Sequence, residues 1–209
     1  PIACNPEDVT CFDLRNYILD DNNGNLNGSA GSGVGIAGGA VRFNDISFWA
    51  CVPAGTRILI YNDADKGPNV EPDDNDITDG NCSIVMPVSY SEGGTAYFQN
   101  HPDLPADAPA FDPSYGGVAD AGWVDGGSWD QISLANTQDG FQILDPSGNP
   151  VFQVGYGNST GANDQGDIYF SGSGGGTVYS FTNANSDDPT DQSNWVSGNA
   201  SSDETPGAE

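Results

Sequence analysis

Positive charge is nearly missing from this sequence. Four basic residues, Arg15, Arg42, Arg57 and Lys66, stand against 30 aspartates and glutamates, giving a net charge of -26. That balance repels phosphodiester backbones and anionic lipid surfaces, so nucleic-acid binding is disfavoured. Histidine is just as scarce: His101 is the single one, followed by Pro102 and Asp103. A serine or cysteine hydrolase would have to build its general base from that residue alone. Neither the zinc motif H-E-x-x-H nor a P-loop is present. No stretch approaches the roughly 20 apolar residues of a membrane span, and the first residues show no basic region leading into an apolar one, so direct membrane insertion is not expected.

Sustained helical periodicity is also missing. The apolar residues fall in short runs: Leu14 to Leu19, Ala40 to Phe43, Arg57 to Tyr61, Ser83 to Val88, Thr95 to Gln99, Gln131 to Leu134, Phe141 to Leu144, Val151 to Tyr156, Ile168 to Phe170 and Thr177 to Phe181. Gly, Pro, Asn and Asp separate them, and the chain holds 29 glycines and 14 prolines. Short β-type runs at this spacing predict an all-β, antiparallel β-sandwich with long acidic, Gly/Pro-rich loops, in one domain over 1–209. Asp145-Pro146-Ser147-Gly148 has the residues of a tight turn and predicts a hairpin over Phe141 to Tyr156. His101 to Gly127 is too long for an ordinary connection and carries Phe111, Tyr115 and Trp123, which reads as an excursion pinned by aromatics or as a binding surface.

The four cysteines, Cys4, Cys11, Cys51 and Cys82, form no C-x-x-C pair, so disulfides in an oxidising compartment are the expected use. The expected pairing is Cys4 with Cys11 and Cys51 with Cys82.

Among the carboxylates, Asp21, Asn23 and Asn25 place oxygen atoms at alternating positions, as a tight loop does around calcium, although the closing bidentate Glu of an EF-hand is absent. Asp63 and Asp65, with Asp73, Asp74 and Asp76, form a second candidate calcium cluster. The competing reading makes all of these plain turn formers that cap strands. Catalytic residues are not singled out: thirty carboxylates could supply an acid/base pair for glycoside hydrolysis, but none lies in an apolar setting that would shift a pKa. Tyr115, Trp123 and Trp129, in Gly/Asp-rich surroundings, are candidate stacking faces for a glycan, or else packing residues.

DLRNYILDDNNG (Asp13 to Gly24), GIAGGAVRF (Gly35 to Phe43), WACVPAGTRILIYND (Trp49 to Asp63), LANTQDGFQILDPSGNPVFQVGYG (Leu134 to Gly157) and DQSNWVSGNASSDETPGAE (Asp191 to Glu209) resemble, in this order, bacterial lamin-tail domains of secreted Bacteroidetes proteins. The resemblance implies an immunoglobulin-like sandwich and a secreted or cell-surface module, structural or adhesive, exported by the type IX secretion system and working with other subunits or domains of one surface assembly. It implies no catalytic residues. Such domains open with two strands upstream of the Asp-Leu-Arg segment, and Pro1 to Thr10 has neither. The expectation is therefore a fragment of a longer polypeptide, or a sandwich completed by strand donation from a neighbour. A carbohydrate-binding module attached to a secreted enzyme is the alternative.

Overall fold

The computed structural model describes residues 10–21, 26, 40–64, 66–67, 70–101, 122–132, 134–135, 137–161, 163–172, 176–182 and 188–199. The protein is all-β, with no α-helix among the described residues. In chain order the strands are β1 (Cys11–Phe12), β2 (Ile18–Asp20), β3 (Val41–Phe43), β4 (Val52–Pro53), β5 (Arg57–Tyr61), β6 (Ser83–Pro87), β7 (Ser91–Glu92), β8 (Thr95–Ala96), β9 (Phe98–Asn100), β10 (Val124–Asp125), β11 (Gln138–Leu144), β12 (Pro150–Gly157), β13 (Ile168–Ser171), β14 (Thr177–Phe181) and β15 (Trp195–Asn199). One sheet of seven strands has the order β10-β9-β3-β2-β11-β12-β13. The remaining strands pair as β1-β4, β5-β6, β7-β8 and β14-β15.

Alternation along the strands decides which face is which. Leu19 lies opposite Val41 and Ile143, and Phe43 opposite Phe98, so these side chains share one face of the large sheet. They pack against Ile84 and Met86 of β6, Val88 just beyond it, and the half-buried Ile58 and Ile60 of β5. Two sheets thus meet face to face around one core, as in a sandwich. Trp49 fills the end of that core from a short 3-10 turn (Ser47–Ala50). Its indole N–H donates to the Tyr97 carbonyl at 2.8 Å, and its ring meets Phe43 and Phe48 edge-on at 4.8 and 4.6 Å.

The expected hairpin is present: β11 and β12 pair antiparallel, and the Gly148 N–H donates to the Asp145 carbonyl at 2.8 Å across the turn. Most other pairs are antiparallel too, but β5-β6 and β12-β13 run parallel. In both cases the chain between the strands is long enough to return to the starting end, which a two-residue turn cannot do. Residues 158–161 and 163–167 lie on the second return, which passes close over the sheet. There the backbone comes so near Gly155 that a methyl group would sit 1.6 Å from the Asn163 carbonyl oxygen. Gln131 to Leu134 is not a strand: Trp129–Gln131 forms a 3-10 turn, and the run supplies a single core anchor, Ile132.

One further expectation is corrected. Cys11 bonds Cys51, not Cys4, and Cys51 therefore does not bond Cys82. The reason lies in β1-β4 pairing: Cys11 stands opposite Pro53 and Phe12 opposite Val52, which brings the Cα atoms of Cys11 and Cys51 to 4.9 Å. Cys82 is disulfide-bonded as well, and Cys4 lies outside the described residues. Asp20 extends the apolar run Leu14 to Leu19 by one residue. It is the last residue of β2 and is fully buried, on the face of the large sheet opposite the sandwich core. Its Oδ2 accepts from Gln142 Nε2 at 2.7 Å, and Gln142 Oε1 accepts from Gln153 Nε2 at 2.9 Å, a row of side chains crossing β2, β11 and β12.

Two outcomes follow for stability. Cys51→Ser opens a crosslink between residues 40 apart in sequence; the loop-entropy relation makes that worth about 4 kcal/mol, read as a lower urea midpoint, and non-reducing peptide mapping should recover a Cys11–Cys51 linkage. Gln142→Leu removes a donor to a buried carboxylate and should cost about 1.5–3 kcal/mol, whereas an unchanged urea midpoint would show the row to be dispensable.

Candidate functional site

The polar face of the large sheet is the strongest concentration of chemistry in the fold. Arg42 stands on β3 between two core-facing residues, so alternation turns it to this face, where it is buried. Its Nε donates to Gln99 Oε1 at 2.6 Å; Gln99 donates in turn to Asp125 Oδ1 at 2.9 Å. The guanidinium lies 4.6 Å from the centroid of the Trp123 ring, a cation-π contact strengthened by desolvation. Edge-on to the same ring, at 5.3 Å, is His101, which is 2 % exposed. Gly122 closes the stack, because a methyl group there would sit 2.3 Å from His101 Nε2. The only histidine is thus part of a packed layer, Arg42-Trp123-His101, that fixes the strand β10 and the approach to it.

A second concentration sits where β11 begins. Asp139 and Tyr156 are opposite each other across β11-β12, and both reach Ala135. Asp139 accepts from the Ala135 N–H at 2.7 Å and the Gly140 N–H at 2.9 Å, while the Tyr156 hydroxyl donates to the Ala135 carbonyl at 2.5 Å. Together they clamp the segment that leads into the strand. Burial raises the Asp139 carboxyl above the ordinary 3.8, against the pull of its two backbone donors. Burial also raises the Tyr156 phenol, helped by the negative charges of Asp139 and Asp21.

Of the expected calcium ligands, most of those that are described accept hydrogen bonds from neighbouring groups. Asp21 is buried near Tyr156, and Asn23 and Asn25 lie outside the described residues. Asp63 accepts from Ser89 Oγ at 2.7 Å, and Asp65 lies outside the described residues. Asp73 is held by the Tyr61 hydroxyl at 2.6 Å and Lys66 Nζ at 2.7 Å. Asp74 accepts from Asn81 Nδ2 at 2.6 Å, and Asp76 caps the Thr78 N–H at 2.8 Å. Among the described residues no three His, Cys, Asp or Glu side chains are grouped to hold a metal ion. Of the aromatic candidates, Trp123 gives its ring to Arg42 and His101, Trp129 is half-buried against the sandwich core, and Tyr115 lies outside the described residues.

Sequence reasoning passes over Arg42, Asp139 and Tyr156. Arg42 had a readable signal, a lone charge inside the apolar run Ala40 to Phe43; Asp139 and Tyr156 become a pair only through register. Gly157-Asn158-Ser159-Thr160-Gly161 also has the G-x-S-x-G spacing of a hydrolase elbow. It follows a strand as such an elbow does, but leads into turns rather than a helix, and Ser159 Oγ donates to Asp164 at 2.5 Å. His101 is packed on Trp123 instead of serving that serine.

No family model, no curated protein and no solved structure matches this chain.

The raised Asp139 carboxyl has a pH consequence. The fold favours the protonated acid more than the unfolded chain does, so its contribution is complete below the ordinary aspartate range and is lost as pH rises through the raised folded value. Asp139→Asn removes that titration, and the stability of the variant relative to wild type should climb between about pH 4 and neutrality. Urea denaturation at stepped pH measures it; a difference independent of pH would contradict the raised carboxyl.

Proposed function

We propose that the protein is a non-enzymatic module of a secreted or cell-surface protein, an immunoglobulin-like sandwich of the lamin-tail kind whose task is structural or adhesive. The observation that carries the reading is the employment of its reactive groups. His101 is packed under Trp123 and Gly122, Asp139 clamps Ala135, and Ser159 is held by Asp164. Groups that an enzyme would leave facing substrate are here tied to backbone and neighbouring rings. The Cys11–Cys51 disulfide fits an oxidising compartment, and both cysteines are exposed to it. A surface carrying so little positive charge suits a protein that stays soluble among other acidic macromolecules.

The carbohydrate-binding alternative is less well supported, because a stacking platform must present a ring face and Trp123 has given its own to Arg42. Antibody labelling of intact source cells should find the chain outside the membrane, with the Cys11–Cys51 linkage formed. Labelling that appears only after lysis, with free thiols, would overturn the reading.

A further inference from the structure

Among the described residues, the β5-β6 sheet leaves one of its edges open. The Arg57 N–H donates to the Cys82 carbonyl at 2.8 Å, and the Tyr61 carbonyl accepts from the Val88 N–H at 3.0 Å, so the backbones of Arg57 and Tyr61 face β6. Alternation then turns the N–H and C=O groups of Ile58 and Ile60 away from β6. Among the described residues β5 pairs with no other strand. The opposite side of the small sheet is closed by Asp74, which exchanges two backbone hydrogen bonds with Val85, both at 2.8 Å. Open edges are ordinarily shortened, bulged or broken by proline or charge. The outermost strand at one end of the large sheet, β10, has only two residues, whereas β5 runs five residues, Arg-Ile-Leu-Ile-Tyr, with no proline and no glycine.

We infer that the outer edge of β5 accepts an extended, cationic segment of a partner protein by β-augmentation. Main-chain bonds from Ile58 and Ile60 supply the pairing, and charge selects the partner. At the two ends of the strand the ion pairs Arg57–Glu71, at 2.5 Å, and Lys66–Asp73, at 2.7 Å, cancel, so the field at the edge is set by Asp63, two residues beyond Tyr61, and by the excess of carboxylates in the chain. The chain offers nothing positive in return, since Arg57 and Lys66 already pair with Glu71 and Asp73, Arg15 pairs with Asp13, and Arg42 is buried. A second copy, at a net charge of -26, is repelled; a strand alternating lysine or arginine with apolar residues is attracted. This assignment rests on the module reading and names where such a module joins its assembly and to what.

The probe is a short synthetic peptide alternating lysine and valine, with the same peptide carrying glutamate for lysine as its control. Backbone amide exchange, resolved by residue, is followed on the wild-type chain. The lysine peptide should slow exchange at Ile58 and Ile60 by about tenfold or more, leave Val178 and Val196 of the β14-β15 pair unaffected, and lose its effect as salt is raised. Ile60→Pro removes an outward N–H without touching the β6 ladder and should weaken binding by about tenfold, with a lower melting temperature because Ile60 also packs on the core; if that variant does not fold, the wild-type exchange data decide alone. No protection at Ile58 and Ile60 overturns the inference, as does equal protection by the glutamate peptide. Protection that grows with protein concentration and needs no peptide overturns the cationic partner in favour of a second copy. None of these outcomes depends on where the chain is located, so failure here is separable from failure of the labelling test.

Discussion

A carboxylate with no solvent contact inside a seven-stranded sheet survives only where neighbouring strands bring donors to it, and Asp20 imposes that condition on the whole large sheet. Gln142 meets it from β11 and is itself oriented by Gln153 from β12. The pairing register is set by this row. A slip of one residue between β2 and β11 would place Phe141 or Ile143 beside Asp20 and turn Gln142 into the apolar core. With β2, β11 and β12 aligned, Val41 falls opposite Leu19, and Arg42 is carried to the polar face where Trp123 covers it.

Legibility from sequence followed the range of the interaction involved. The hairpin around Asp145 to Gly148 could be read because its turn closes on residues within a few positions, and the runs Arg57 to Tyr61 and Thr177 to Phe181 coincide with strands because their β-branched and aromatic residues are local signals. The disulfide was misread for the opposite reason: Cys11 meets Cys51 through β1-β4 pairing, and two-residue strands leave almost no periodic trace. Burial of Asp20 was equally hidden. An aspartate next to another aspartate reads as a turn former, and only the sheet across it, supplied by residues more than a hundred positions away, makes it a buried strand residue. Of the aromatics singled out in the long excursion as anchors or binders, Trp123 is an anchor, and what decides it is an arginine about eighty positions upstream.

The abundance of carboxylates has a local explanation that does not involve a ligand. Asp74, Asp76, Asp79, Asp145, Asp188 and Asp191 each accept from the backbone N–H two residues further on, the signature of Asx turns. In a chain so rich in glycine, turns would otherwise be entropically loose, and an acceptor at the first turn position narrows them. Acidity is then partly a by-product of building many tight turns from aspartate. The repulsion that accumulates is left to solvent and salt, while the scarce cations sit where a carboxylate or a ring already waits.

The two faces of the large sheet respond to change by different physics. Around Trp49 the core is aromatic and aliphatic, with rings meeting Phe43, Phe48 and Phe98 at varied angles, and such a core accommodates volume-conserving exchanges by small shifts. The polar face has no comparable slack. Gln142 must donate to one neighbour and accept from another, and no other residue of its size does both with the same geometry. Beside it Gly155 cannot gain a methyl group without displacing the Asn163 carbonyl, which belongs to the connection that makes β12 and β13 parallel. Sequence tolerance should therefore be asymmetric across one sheet. The apolar side fixes that the chain collapses; the polar side fixes which strands lie next to each other.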